Sequence, residues 1–295
     1  MKTQHFIRTC LVFIGFGFFS CEKNATIPLP KSEKKMVITC FLSPDEDSLT
    51  AEITWTKPIF GANTSGQDIV TNANVRISGP DGTANFTFDK ELGRYILAQN
   101  QINLKYGSRY EVSASHPSGS SIKGSCTIPE RFDPGFETSV SDSTFLYEDG
   151  FGKKIFAYSF KVVFMPKTPG KSWYRIGAYQ RYLTIYDPGK PANLNWSVLD
   201  YNLDSRFFIS EKPAENPFSI VIRNQNLYED GSDSNQVFRF ILIQGDKSYY
   251  DFHQSVFNFE GENPFAEPVR LYTNVEGGLG VVASYLKDTR TIEKP

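Results

Sequence analysis

Cysteine and histidine are scarce in this 295-residue chain, with four cysteines and three histidines. His116 and His253 lie far apart and neither has a nearby cysteine pair, which argues against a zinc centre. No Gly-x-Ser-x-Gly elbow and no phosphate-binding glycine loop is present, so the usual sequence signs of an acyl-transfer or nucleotide enzyme are missing. Two acidic runs, Asp45-Glu46-Asp47 and the loop holding Asp230, Asp233 and Asn235, match no EF-hand spacing and read as solvated turns. The chain also lacks a basic excess, with 31 Lys and Arg against 33 Asp and Glu. That argues against nucleic acid or anionic lipid as a partner, since both demand a basic surface. Nor is there an apolar run of the roughly 17–25 residues that a spanning helix needs. The expectation is a non-enzymatic protein with no cofactor and no metal.

What is present begins at the N-terminus. Lys2 and Arg8 form a short basic start, Leu11 to Phe19 is a short apolar run, and Ser20-Cys21 follows. This is the layout of a signal peptide. Phe18-Phe19-Ser20-Cys21 resembles a bacterial lipobox, with Phe where Leu is common, and predicts cleavage before Cys21 and acylation of its thiol. The alternative is ordinary cleavage nearby, which fits the paired phenylalanines poorly. Each buried acyl methylene contributes about 0.8 kcal/mol, and two or more chains give a stable anchor. Loss of Lys2 and Arg8 with residues 1–20 leaves 29 basic and 33 acidic side chains, a formal charge of −4. Residues 21–35, with Pro28 and Pro30 and no apolar periodicity, read as a tether.

About 260 residues remain, room for two ordinary domains. Long helical patterns are rare, Phe and Tyr are plentiful, and turns are frequent, which predicts an all-β chain of two sandwich-like domains, 36–130 and 131–295. In the first, MVITCFL (36–42) is a buried strand candidate. LTAEITWT (49–56) alternates, with Leu49, Ala51, Ile53 and Trp55 on one face. Strands follow at 73–79, 85–88, 94–97, 109–115 and 121–128, with Pro80-Asp81-Gly82 as a turn. This order resembles immunoglobulin-type or transthyretin-like modules, a likeness of fold alone. Cys40 and Cys126, near the two ends of this domain, are either a disulfide, permitted outside the cytoplasm, or two buried thiols.

In the second domain strands are predicted at 154–164, 172–186, 218–223 and 237–243. LYEDG occurs at 146–150 and again at 227–231, and both copies read as turns. Asp246 caps a predicted helix over 246–259, with Tyr249, Phe252, His253 and Val256 at helical spacing and Gly261 ending it. His253 reads as a partly buried side chain among aromatics. A final strand places Leu279, Val281, Ala283 and Tyr285 on one face. The aromatics Trp173, Tyr179, Tyr182, Trp196 and Tyr201 fall within one stretch. They form either sandwich core or a surface for a sugar, a peptide or a protein partner.

The closing phrase NPFAEPVRLYTNVEGGLGVVASY, after the Tyr-rich SYYDFHQSV, resembles the Bacteroidota lipoproteins classed as domain-of-unknown-function family 4249. Asn263, Pro264, Phe265, Pro268, Asn274, Glu276, Gly277, Gly278 and Gly280 carry the likeness, and Val282-Ala283 replace the Phe-Gly often found there. Independently of the resemblance, the glycines permit positive φ or close backbone approach, which predicts a tight entry into the final strand. Asn274 and Glu276 are placed to bond freed backbone groups there. The resemblance implies an outer-membrane lipoprotein, often associated with a TonB-dependent transporter and without a settled biochemical role. A stand-alone glycan- or peptide-binding lipoprotein is the competing expectation. Surface-exported members of that phylum resemble one another in acidic residues after the lipidated cysteine. Glu22-Lys23-Asn24-Ala25 carries one acid and one base, so the cell surface is favoured only slightly over the periplasmic face.

Overall fold

The computed structural model describes residues 33–57, 66, 68–130, 137–148, 150, 152, 154–164, 173–184, 193–199, 208–210, 218–229, 237–259 and 271–293. Cys21, the tether, Tyr201, Asn263, Pro264, Phe265 and Pro268 lie outside them. The architecture below belongs to the compact unit formed by Lys34–Lys57 and Ser65–Pro295.

The chain is all-β, with one short α-helix among the described residues. Strand β1 (Met36–Leu42) alternates buried and half-buried residues over its whole length, and β2 (Ser48–Trp55) buries Leu49, Ala51 and Ile53, as the period-2 pattern requires. After β3 (Asn74–Gly79) a turn leads to β4 (Gly82–Asn85), and β5 (Thr87–Asp89) and β6 (Arg94–Ala98) follow. Strand β4 pairs with β3, but β5, two residues on, pairs with β6 in a different sheet. The predicted strand at 85–88 is therefore a crossing between sheets, with Phe86 buried at the change-over. Strands β7 (Arg109–Ser115) and β8 (Ser121–Thr127) complete this half.

The second half contains β9 (Glu137–Glu148), β10 (Lys154–Phe164), β11 (Trp173–Thr184), β12 (Asn193–Val198), β13 (Phe208–Ser210), β14 (Phe218–Glu229) and β15 (Val237–Gly245). Helix α1 (Lys247–Phe257) starts at Asp246, whose carboxylate accepts from the Tyr249 N–H at 2.8 Å. The two-residue β16 (Val275–Glu276) and the long β17 (Leu279–Glu293) end the chain. The two LYEDG copies are not confined to turns. Their Leu-Tyr-Glu residues end β9 and β14, and both glutamates sit opposite Lys154, so the echo flanks one end of β10.

Three sheets result. A nine-stranded sheet runs β12-β11-β15-β17-β1-β2-β6-β5, with β13 also on β11. A five-stranded sheet runs β16-β8-β7-β3-β4 and a three-stranded sheet β14-β10-β9. The five-stranded sheet packs on the β1–β2–β6 half of the large one, through Ile38, Leu42, Ile53, Ile77, Tyr95, Val112 and Ile122 among others. The three-stranded sheet packs on the β11–β15 half, through Phe160, Val162, Ile176, Phe238 and Phe240. These are two sandwiches sharing one sheet, so a boundary near residue 130 crosses no break in it. The join is β17, whose first residues pair parallel with β1 (Val37 with Leu279 through Leu42 with Ser284) and whose remainder pairs antiparallel with β15. Alternation along β17 puts Val282 and Leu286 in the first core. Val281, Ala283 and Tyr285 face the other way, where α1 covers them with Tyr249 and Phe252.

Candidate functional site

Gly277, Gly278 and Gly280 thread the chain from β16 into β17 against two sheets at once. A β-carbon on Gly277 would fall on the Ser121 carbonyl of β8. One on Gly278 would strike both the Ile122 side chain and the Met36 carbonyl, and one on Gly280 would strike the Ile38 carbonyl of β1. Gly277 and Gly280 also hold φ of 78° and 109°, which L side chains rarely adopt. Asn274 fixes the same junction. Its amide donates to the Val282 carbonyl (2.7 Å), the Ser125 carbonyl (3.1 Å) and the Ser248 hydroxyl (3.1 Å), and its oxygen accepts from the Val282 N–H (3.0 Å). One side chain thus ties β8, β17 and α1. Glu276 points outward and pairs with Lys123 at 3.2 Å.

Asp246 stands at the same junction. Burial pushes its carboxyl up to about 6, against the pull of hydrogen bonds from backbone groups of Tyr249, Ser284 and Thr127. Sequence reading identified the cap but not its burial, because the cover comes from β8 and β17, distant in the chain. Nearby, burial pushes the Glu46 carboxyl up, but hydrogen bonds from Lys287 and Tyr285 outweigh it and hold the group below its ordinary range.

Cys40 and Cys126 are two free, buried thiols in the first core, with no disulfide between them. Burial pushes the Cys40 thiol up to about 12 and raises Cys126 well above its usual value. Both are therefore protonated at neutral pH and pack as small apolar groups. His253 lies among Phe41, Tyr249 and Phe252, with ring centroids 4.3–5.6 Å away. His116 sits against Trp55 and bonds Ser118. Among the described residues no group of three or more His, Cys, Asp or Glu could hold a metal ion, and no helix is long and apolar enough to cross a membrane.

The aromatic stretch divides by parity. Tyr174, Ile176 and Ala178 of β11 are buried in the second core. Trp173, Arg175, Tyr179 and Arg181 alternate with them and so occupy the opposite, outer face of the nine-stranded sheet. The Tyr179 ring lies over Gly177, where a side chain would collide with it. Trp196 of β12 stands opposite Arg181, and Arg239 of β15 stands opposite Tyr179. The Arg239 guanidinium lies 3.8 Å from the centroid of the Trp196 ring, a cation–π contact. Trp173, Tyr179 and Trp196 are each half-buried. Tyr182 is on β11 by its backbone, but its side chain lies outside the described residues, as does Tyr201. The outer face of β12–β11–β15 thus groups Tyr179, Arg181, Trp196 and Arg239, with Trp173 on the same face but roughly 20 Å back along β11. Arg239 was not singled out in the sequence, since only strand register brings it over Trp196.

These features define a two-sandwich β protein with a shared sheet, a motif-locked junction and an aromatic–arginine outer face. The chain belongs to the family described as domain of unknown function DUF4249, whose model matches residues 22–291. No curated protein matches it. Among solved structures, a chain titled "Cytokine receptor complex - Crystal form 1A" is similar at 11% identity, covering 86% of this chain and 94% of that one, with a TM-score of 0.22. A score that low carries no structural argument.

Proposed function

We propose that this is a non-catalytic lipoprotein, held in the outer membrane by acylated Cys21, that works by docking beside a TonB-dependent barrel. The observation that carries the docking reading is the outer face of β12–β11–β15. There Trp173, Tyr179 and Trp196 stand with Arg181 and Arg239. Trp, Tyr and Arg are the side chains that dominate protein interfaces energetically, because each combines a large apolar area with a polar handle. The anchor and the barrel rest on the lipobox and on the family resemblance. The cell surface is slightly favoured over the periplasmic face by the residues after Cys21.

The test is extraction of the native protein in mild detergent, followed by identification of what co-purifies. A barrel protein should accompany the wild-type chain, and the Trp196→Ala/Arg239→Ala pair should lose it while the variant keeps its thermal transition. A solitary monomer in the wild type would sink the reading.

A second reading is supported by the same rings. A lone surface protein could stack a glycan or an extended peptide on Trp173, Tyr179 and Trp196. Retention of an oligosaccharide by the wild type, lost on Trp196→Ala with no barrel present, would favour it.

A further inference from the structure

The motif residue Glu276 lines a second feature, on the opposite sandwich, and is the one carboxylate among the residues that line it. The outer face of the five-stranded sheet carries an open groove of about 540 Å³, lined in part by Asn74, Arg76, Ser113, Ser115, Ser121 and Lys123. Clefts of this size accommodate small molecules.

Strand register builds the groove. Arg76 lies opposite Ser113, Ser113 opposite Lys123, and Lys123 opposite Glu276, so a single rung crosses β3, β7, β8 and β16. The two cationic residues are therefore separated by one strand, with Cα atoms about 10 Å apart from the strand spacing. The short Ser113 between two long side chains leaves the gap. The neighbouring rung is Asn74, Ser115 and Ser121, again small and polar.

The charges are not balanced. No hydrogen bond or ion pair engages the Arg76 guanidinium among the described residues. Lys123 pairs with Glu276, but both side chains are largely exposed, at 51% and 76%. A pair so open to solvent contributes little and is readily exchanged for a better acceptor. A guanidinium and an ammonium on either side of a gap suit an oxyanion, which the guanidinium can bind bidentately. The three serine hydroxyls and the Asn74 amide offer donors and acceptors to a ligand rich in hydroxyls.

We infer that the groove over Ser113 is a binding site for an acidic sugar, its carboxylate or phosphate held between Arg76 and Lys123 and its hydroxyls on the serine-rich floor.

Saturation-transfer NMR on the full mature chain tests this with four probes: glucuronate, glucose 6-phosphate, glucose and inorganic phosphate. Glucuronate, glucose 6-phosphate or both should bind saturably, and which of them does identifies the acidic group. Glucose and inorganic phosphate should bind at least about tenfold more weakly, the loss expected when one charge-assisted contact or the hydroxyl contacts are missing. Arg76→Gln and Lys123→Gln should each weaken the acidic sugars by a similar factor, while Lys90→Gln, on the exposed β5–β6 turn, should not. Using two separate variants guards against either one misfolding. Silence from both acidic sugars, equal binding of glucose or of inorganic phosphate, or undiminished binding in the Arg76→Gln/Lys123→Gln double variant would overturn the site. None of these outcomes bears on docking through the β12–β11–β15 face.

Discussion

Gly280 shows how one residue can be fixed by the backbone of a distant strand. Its φ is positive, and the space where a β-carbon would sit is taken by the Ile38 carbonyl of β1. Gly119 is also at positive φ but faces open space. Gly280→Ala should therefore cost roughly 3 kcal/mol or more, strain and collision together, whereas Gly119→Ala should cost about 1 kcal/mol from strain alone. Urea unfolding of the two variants separates these values. Asp246 makes a prediction about pH. Burial pushes its folded carboxyl up to about 6, above its ordinary value of 3.8, so between those values the folded protein binds more protons than the unfolded one. Stability from this group is thus fully present in acid, falls as pH rises from about 4 to 6, and stays lower above that, by at most roughly 3 kcal/mol. Asn is an equally good cap without the charge. Asp246→Asn should flatten this part of the stability–pH curve and melt higher than wild type at pH 7.5. A wild-type melting temperature that does not fall between pH 4.5 and 7 beyond what the variant shows would refute the assignment. Glu46 acts in the opposite sense: held below its ordinary range, it contributes stability above about pH 4.5 that is lost as pH falls through its folded value.

At the scale of elements, α1 and β17 depend on each other. The helix carries few groups that would hold it in isolation, and 11 residues is short for a helix in water. It persists because Tyr249 and Phe252 cover Val281, Ala283 and Phe41, and because Asn274 joins Ser248 to Val282. Asn274→Ala would leave the Val282 N–H without its side-chain acceptor and release both β8 and α1. A loss of roughly 2–3 kcal/mol is expected. Amide exchange should speed up along α1 and at Val282 while β10, in the other core, keeps its protection. Uniform loss of protection would show that the junction does not act locally. The edge strand β9 illustrates a different principle. It exposes Phe145, Leu146 and Tyr147 and, among the described residues, pairs with β10 alone, but the register of that pair shifts twice, and such bulges twist an edge away from further pairing.

For the whole molecule, one continuous sheet joins the two sandwiches through β17. β1 and β17, at opposite ends of the described chain, are adjacent and parallel, so the first sandwich cannot close until the last strand has been made. Such long-range pairing slows folding, because loop-closure entropy is lost before the contacts form. The proposed lipid anchor at Cys21 is a separate matter. Cys21→Ala should shift the protein from the membrane to the soluble fraction and leave its unfolding transition unchanged. Unchanged membrane partitioning would overturn lipidation.

Local chemistry was readable from the sequence alone. The strands β1 and β10, the alternation in β2, the Asp246 cap, the all-β class and the glycines of the closing motif each depend on a few consecutive residues. The family likeness at the C-terminus was equally visible there, and the match over residues 22–291 bears it out. Strands β9 and β12 were not readable, since edge strands bury too little to impose an alternating pattern. The crossing at Phe86 was hidden for a related reason: a strand pattern does not say which sheet it joins. Parity separated Trp173 from Tyr174 in the sequence, but which parity faced the core was decided by Phe160 and Val162 of a different sheet. The positions of Arg239 over Trp196, of Arg76 beside Ser113 and of Gly280 on Ile38 are all consequences of register between distant strands. The sequence by itself determined the elements and their caps because those follow from nearest neighbours. Only the tertiary structure decided the surfaces, because a surface is made by whichever strands lie side by side.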